Sequence, residues 1–102
     1  MDYEQRAVEA KTAFIAALAA NRVGGAMGKV RVNTVAELVG VSPPTVSKFA
    51  ANPRRVSENF IRQVSLSVPG MELAYAQFRT TVDCDYVPYP IYEISLRRIQ
   101  PR

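Results

Sequence analysis

The side chains best able to do chemistry stand together near the carboxyl end, at Asp83, Cys84 and Asp85. Two carboxylates beside a thiol could ligate a metal ion or act as an acid and a base. Neighbouring residues of an extended segment point to different sides, however, and no further ligand or catalytic group accompanies them. Cys84 is the only cysteine and histidine is absent, which excludes an intrachain disulfide, a Cys/His zinc site and imidazole catalysis. We expect a solvated loop, no cofactor or metal, and no enzymatic activity.

A glycine-rich segment, residues 23–33, suggests a second kind of chemistry, because glycines before a lysine can cradle a phosphate. A phosphate-binding loop requires GxxxxGK followed by Ser or Thr, whereas Gly28-Lys29 is followed by Val30. We therefore reject a nucleotide site. The segment is better interpreted as an arm in which Lys29 and Arg31 contact a DNA backbone.

The net charge of +4 falls in one part of this chain of 102 residues. Residues 29–62 hold six basic and two acidic side chains, while the segments before and after them are each neutral. A basic segment of this kind indicates a surface that faces phosphates. No apolar run approaches the roughly 20 residues that span a bilayer, and the first residues do not form a secretory signal. We expect a protein of the bacterial cytoplasm or nucleoid.

The most informative stretch, residues 34–57, predicts two short helices joined by a turn. Thr34 and Glu37 have the spacing of a capping box at the start of the first helix. Gly40 follows its apolar residues, as a residue that tolerates a positive φ at a helix end. The first helix is therefore expected to begin at Thr34 and to end before Gly40.

The second helix of this stretch is predicted to begin after Ser42, a good capping residue. Pro43 and Pro44 suit a first helical turn, where their missing amide protons have no helical partner. Asn52-Pro53 ends the helix, because the residue before a proline is pushed out of the α conformation. Helix, glycine turn, helix and basic exit together predict a helix-turn-helix at residues 34–51.

Three further helices are predicted from apolar periodicity, over residues 2–22, 57–67 and 71–82. Asp2 can cap the first, Ser57 can cap the second, and Pro69-Gly70 separates the second from the third. The positions expected to face the core are Tyr3, Ala7, Val8, Ala10, Phe14, Ile15 and Leu18, then Phe60, Ile61, Val64 and Val68, and finally Met71, Leu73, Ala74, Tyr75 and Phe78.

The last segment changes character after a tyrosine- and proline-rich loop. Tyr92, Ile94 and Leu96 alternate with polar residues, which is typical of a β-strand. A single strand needs a partner, and within the chain only Val30–Val32 or Thr80–Val82 offer one. Pairing with its copy in a second subunit is the natural alternative, and we expect a homodimer that uses this strand.

The stretch 34–57 resembles the DNA-binding headpiece of the LacI family of bacterial repressors. The residues that carry the resemblance are Thr34, Gly40-Val41-Ser42, Thr45-Val46-Ser47-Lys48, Asn52 and Val56-Ser57. The amino-terminal domain of RpiR-type regulators is similar over Thr45–Ala50. A long helix precedes the motif here and no large sugar-binding domain follows it, so a small phage or plasmid repressor is the context that fits.

The resemblance implies roles for individual residues. Pro43, Pro44 and Lys48 would face base edges in the major groove. Because prolines cannot donate hydrogen bonds, base reading would move towards Thr45, Ser47 and Lys48, or depend more on DNA shape. The expected phosphate contacts are Ser42, Thr45, Arg54, Arg55 and Asn59, and the matching residues Thr34 and Asn52 complete the candidate DNA-binding set.

These observations predict a mainly α fold, a helix-turn-helix bundle of about five helices with a C-terminal β-strand or hairpin used in dimerisation. Residues 1–82 would form the DNA-binding domain and residues 83–102 a loop and strand. The predicted function is a sequence-specific transcriptional regulator, a repressor that inserts helix 43–51 into the major groove of double-stranded DNA as a dimer on a palindromic operator. The alternatives are a plasmid or phage replication or partition factor, or a protein-interaction module. No membrane partner or small-molecule effector is expected.

Overall fold

The computed structural model of the protein describes residues 3–82, without the side chain of Tyr3. Within this range the chain forms five α-helices, one short antiparallel sheet and one 3₁₀ turn. In order they are α1 (Tyr3–Ala19), β1 (Gly25–Ala26), β2 (Lys29–Val30), α2 (Val32–Val39), α3 (Pro43–Ala51), the 3₁₀ turn (Pro53–Arg55), α4 (Glu58–Ser67) and α5 (Glu72–Val82). The prediction of a mainly helical fold with five helices is confirmed.

Several predicted features lie outside the described residues. They are the Asp2 cap, the Asp83, Cys84 and Asp85 group, and the strand of Tyr92, Ile94 and Leu96. Among the residues that are described, no helix is long and apolar enough to cross a membrane.

The core lies where α1, α4 and α5 meet the inner faces of α2 and α3. Phe14 of α1 and Phe78 of α5 meet edge to face, with ring centroids 6.3 Å apart. Burying such aromatic and branched side chains supplies most of the stabilising free energy in a domain of this size. The buried residues are Ala10, Phe14, Ile15, Leu18, Val35, Ala36, Val46, Val56, Phe60, Ile61, Val64, Val68, Met71, Phe78 and Val82.

Most of the expected core positions are confirmed, and one is wrong. All four core residues predicted in and directly after α4 are buried, as are the central ones of α1. Leu73, by contrast, is 63% exposed. Leu73 is the second residue of α5. The helix places its side chain on a different face from that of the buried Phe78.

The end of α1 comes earlier than predicted, at Ala19 rather than residue 22. The Asn21 side chain shapes the bend after this helix, because its Oδ1 accepts hydrogen bonds from the backbone amides of Val23 and Gly24, both at 2.8 Å. Asparagine commonly turns the chain in this way. Its Nδ2 donates to the Pro69 carbonyl at 2.9 Å, which joins this bend to the turn between α4 and α5.

The glycine-rich segment contains a β-hairpin that was not predicted. Ala26 pairs with Lys29 across a two-residue turn, Met27-Gly28, whose φ values are 54° and 78°. Two positive φ values are the mark of a type I′ turn, which matches the twist of a hairpin. Gly25 lies so close to α1 that a Cβ there would stand 1.9 Å from the Ala19 carbonyl oxygen. The hairpin is therefore seated directly on the end of α1.

The start of α2 was predicted wrongly. The helix begins at Val32, with Arg31 as its N-cap and no side-chain capping bond, so Thr34 and Glu37 form no capping box. The reason is the preceding hairpin, because β2 leads directly into the helix and the Val35 amide already donates to the Arg31 carbonyl at 2.9 Å. The predicted end is confirmed, since Gly40 has a left-handed φ of 87°.

Neither segment proposed as an internal partner for the C-terminal strand is a free strand. Val30 pairs with Gly25 within the hairpin, and Val32 opens α2. Residues Thr80–Val82 belong to α5, and Val82 is buried. Pairing with Thr80–Val82 would require α5 to unfold, whereas pairing with Val30 could use only the outer edge of the hairpin.

Candidate nucleic-acid interface

A tight turn joins α2 to α3. The amides of Gly40 and Val41 both donate to the Ala36 carbonyl, at 2.8 and 3.0 Å. Ala36 is only 3% exposed, and its small side chain lets the two helices approach closely. The turn is thus held by backbone bonds and by contact between helices, which fixes the orientation of α3 relative to α2.

The start of α3 is stabilised by its own residues. The Ser42 side chain caps the helix by accepting from the Thr45 amide, and the two hydroxyl oxygens lie 2.8 Å apart. Pro43 and Pro44 occupy the first helical positions and have no amide proton to donate. The hydrogen-bond donors that this helix end can offer an anion are therefore mainly side chains.

One face of α3 is anchored in the core. Val46 is buried, and the Phe49 ring meets the Phe60 ring of α4 edge to face at 4.9 Å. Val46 and Phe49 therefore face inward. They also determine which residues of α3 face outward.

The outward face of α3 consists of Pro44, Ser47, Lys48 and Ala51, all exposed. Their spacing of three and four residues places them on one side of a helix. Lys48 forms no ion pair with any residue in the described range. Of the residues predicted to read bases, Pro44, Ser47 and Lys48 share this face, while Thr45 is half-buried and bonded to Ser42.

The basic residues predicted to contact phosphates are arranged around this helix. Arg54 and Arg55, in the 3₁₀ turn that follows α3, are both exposed. The Arg54 guanidinium lies 3.8 Å from the Glu4 carboxylate of α1, a pair in which both side chains are largely exposed. Arg31 is also engaged, since its Nε donates to the Gly25 carbonyl at 3.1 Å.

The remaining predicted residues have varied surroundings. Lys29 is exposed on β2, Asn59 is exposed in the first turn of α4, and Thr34 is half-buried within α2. Asn52 is exposed at the end of α3, where its amide donates to the Lys48 carbonyl at 3.0 Å. Between residues 3 and 82 no three His, Cys, Asp or Glu side chains are grouped to hold a metal ion.

A cleft beside α3 was not predicted. We call it the hairpin cleft; its volume is about 520 Å³, with α1 as its floor and the hairpin and α3 as its walls. Only the proximity of three segments distant in sequence creates it, so no local pattern could have indicated it. It is lined by Thr12, Ile15, Ala16, Ala19, Gly28, Lys29, Val30, Ser47, Ala50, Ala51 and Pro53.

Comparisons with known proteins give no match to a family model, to a curated protein or to a solved structure. The resemblance of residues 34–57 to the LacI headpiece is therefore a prediction from the motif residues. Function has to be inferred from the surface around α3.

Proposed function

We propose that this chain is a sequence-specific regulator of transcription, a repressor that inserts α3 into the major groove of double-stranded DNA. The observation that carries the proposal is the outward face of α3. Its exposed positions hold Lys48 and Ser47 and no carboxylate, whereas the opposite face is anchored in the core. A rigid helix that presents a cation and a hydroxyl can donate hydrogen bonds to the edges of bases.

Charge supports the same proposal. The basic excess of the chain lies in residues 29–62, the segment that builds β2, α2, α3, the 3₁₀ turn and the first half of α4. Arg54 and Arg55 would contact phosphates beside the helix, together with Lys29 and Asn59. The roles would then divide in the usual way, with side chains of α3 reading bases and the surrounding basic residues fixing the position on the duplex.

The pairs Arg54–Glu4 and Arg31–Gly25 do not oppose this division. An exposed ion pair is worth only about 0–1 kcal/mol, so a phosphate can replace the Glu4 carboxylate as the partner of Arg54. The Arg31 Nε is engaged, but a guanidinium has five N–H donors and the terminal ones can reach a phosphate.

Dimerisation is part of the proposal, since a palindromic operator requires two copies of α3 related by two-fold symmetry. The segment containing Tyr92, Ile94 and Leu96 is the proposed interface. Sedimentation of the full chain at micromolar concentration is expected to give a dimer. An Ile94→Asp variant is expected to give a monomer, and a wild-type chain that sediments only as monomer would contradict this part.

The experiment that tests DNA recognition is selection of bound duplexes from a random pool. A regulator of this kind recovers one enriched site, and two inverted half-sites would report the dimer and its spacing. Lys48→Ala is expected to weaken binding to that site by about 1–3 kcal/mol. Arg22→Ala, which removes one exposed cation far along the sequence from α3, is the matched control.

A second variant separates base reading from phosphate contact. Arg54→Ala is expected to weaken all duplexes about equally and to flatten the dependence of binding on salt. Full affinity in both Lys48→Ala and Arg54→Ala would refute the assignment. A pool that yields no enriched sequence, with binding insensitive to salt, would favour the protein-interaction module instead.

A further inference from the structure

The hairpin ends in an apolar side chain that the fold does not use. Met27 is 100% exposed and has a left-handed φ of 54°. Asparagine and glycine adopt this conformation far more readily than methionine. An exposed apolar group held on a tight turn, at a position where another residue would suit the backbone better, suggests contact with a partner.

The hairpin and α3 stand on the same side of α1. Gly28, Lys29 and Val30 form one wall of the hairpin cleft, and Ser47 and Ala51 belong to the other. Ser47 and Ala51 are also part of the outward face of α3. Any large partner that lies against this face of α3 therefore also meets the hairpin.

The lining of the hairpin cleft suits an anionic strand. Among residues 3–82 no carboxylate lines it, and the one ionisable side chain of that range in its lining is Lys29, which is exposed. The floor consists mainly of small side chains of α1, such as Ala16 and Ala19, which permit close approach. Ser47 adds a hydroxyl group on the opposite wall. Sugar and phosphate groups need this combination of room, positive charge and hydrogen-bond donors.

We propose that the hairpin cleft seats one sugar–phosphate strand of double-stranded DNA and that Met27 enters the adjacent minor groove. This rests on the proposed function, in which α3 lies in the major groove. A single backbone strand separates the two grooves of a duplex, so an element across that strand from α3 faces the minor groove. An apolar side chain inserted there partly unstacks a base step and bends the duplex.

A carboxylate introduced into the hairpin cleft tests whether a sugar–phosphate strand of DNA binds there. Ala16→Glu introduces one into the floor at an exposed position of α1. Ala13→Glu is the matched control, because Ala13 is exposed on the same helix but lines a separate depression towards α5. In the full chain with its selected duplex, Ala16→Glu is expected to bind roughly tenfold more weakly than Ala13→Glu. Equal affinities of the two variants would overturn the proposal.

Replacement of the hairpin tip tests insertion. Met27→Asn creates the Asn-Gly pair that type I′ turns prefer, so the hairpin keeps or gains stability while the apolar group is lost. The expected result is roughly five- to tenfold weaker binding and a smaller DNA bend, measured by energy transfer between the duplex ends. Leu66→Ala, which removes another exposed apolar side chain, 72% exposed on α4, is the control. Unchanged affinity and bend in Met27→Asn would refute insertion.

The outcomes separate this inference from the function on which it rests. If the wild-type chain binds its selected duplex and the variants Ala16→Glu and Met27→Asn match their controls, DNA binding stands and the hairpin inference is overturned. If the wild-type chain enriches no duplex at all, the proposed function fails first, and the hairpin inference fails with it.

Discussion

Two clefts of similar size open along α1, and their linings differ in charge. The hairpin cleft measures about 520 Å³, holds Lys29 and has no carboxylate from the part of the chain that the structure describes. The other, which we call the acidic cleft, measures about 470 Å³ and is lined by Glu4, Gln5, Val8, Glu9 and Arg54. Their volumes are too similar to distinguish the two clefts as binding sites. The electrostatic field along α1 would instead favour binding of a polyanion at the hairpin end and oppose it at the acidic end. In the proposed function this difference would orient DNA across the surface.

Arg54 stands between these two regions. It follows α3 in the chain, yet its guanidinium lies beside Glu4 in the acidic cleft. In the proposed function, contacts with phosphate would therefore compete with a local carboxylate at Arg54. Lys29 and Lys48 have no such competitor among residues 3–82. We infer that cations in the same segment contribute unequally to DNA affinity.

The largest expected effect comes from Leu18→Ala, which removes a core side chain that packs beneath the hairpin. Leu18 is fully buried, and its Cδ1 packs closely on Gly24 at the base of the hairpin. The free energy of unfolding is expected to fall by about 3–5 kcal/mol, because the substitution leaves a cavity in the core. Urea denaturation of Leu18→Ala and of the exposed-site control Leu73→Ala measures it. Equal losses in the two variants would show that Leu18 is not a central support.

Gly25→Ala is expected to break the hairpin cleft and spare the acidic one. Its Cβ would collide with the Ala19 carbonyl oxygen, so the hairpin has to move off α1. The cost is expected to be about 1–3 kcal/mol. Amide chemical shifts provide the local measurement: those near β1 and β2 should change while those near Glu4 and Glu9 do not. Shifts spread evenly over α1 would contradict the separation of the two clefts.

Gly40→Ala acts on the other wall of the hairpin cleft. A Cβ at Gly40 meets nothing within 4 Å, so the penalty comes from the φ of 87° alone. We expect about 1 kcal/mol, measured by urea denaturation. Gly28→Ala is the matched control, with a φ of 78° and equally open space. If Gly40→Ala lowers the free energy of unfolding far more than Gly28→Ala does, a Cβ at position 40 must also be sterically unfavourable in the turn before α3.

The smallest effect is expected from Glu4→Gln, which removes the partner of Arg54. Because the pair is exposed, the free energy of unfolding should change by less than about 0.5 kcal/mol. DNA affinity should rise about twofold at low salt, since Arg54 is released for phosphate contact. Glu9→Gln, in the same acidic cleft but not paired with Arg54, is the control in a titration with labelled duplex. An equal rise in DNA affinity in both variants would mean that the loss of negative charge in the acidic cleft, and not the release of Arg54, causes the effect.

Local signals predicted α3 well and the hairpin poorly. Ser42 and Asn52-Pro53 determine the ends of α3 through bonds within a few residues, so the sequence alone located them. The start of α2 at Val32 depends on the hairpin that precedes it, and the position of Gly25 depends on its close approach to α1. No local pattern reports either of these. The type I′ turn could not be recognised from the sequence, because Met27 occupies one of its two positions and methionine is not typical of a left-handed φ.

The candidate site divides in the same way. The outward face of α3 could be predicted from helical spacing together with the motif residues. The hairpin cleft and the Arg54–Glu4 pair could not, because each joins segments that only the tertiary fold brings together. At Thr34 a local pattern gave a wrong prediction. The spacing of Thr34 and Glu37 fits a capping box, but both residues lie inside a helix that begins at Val32.

Asn21 has a consequence for the order in which the protein folds and opens. Its side chain binds two amides at the base of the hairpin and the Pro69 carbonyl, 48 residues away along the chain. The complete set of bonds can therefore form only after α4 and α5 have returned to α1. Opening of the turn between α4 and α5 would release one side of this junction. We expect the Val23 and Gly24 amides to exchange with solvent in step with that distant turn, as one cooperative unit of the fold.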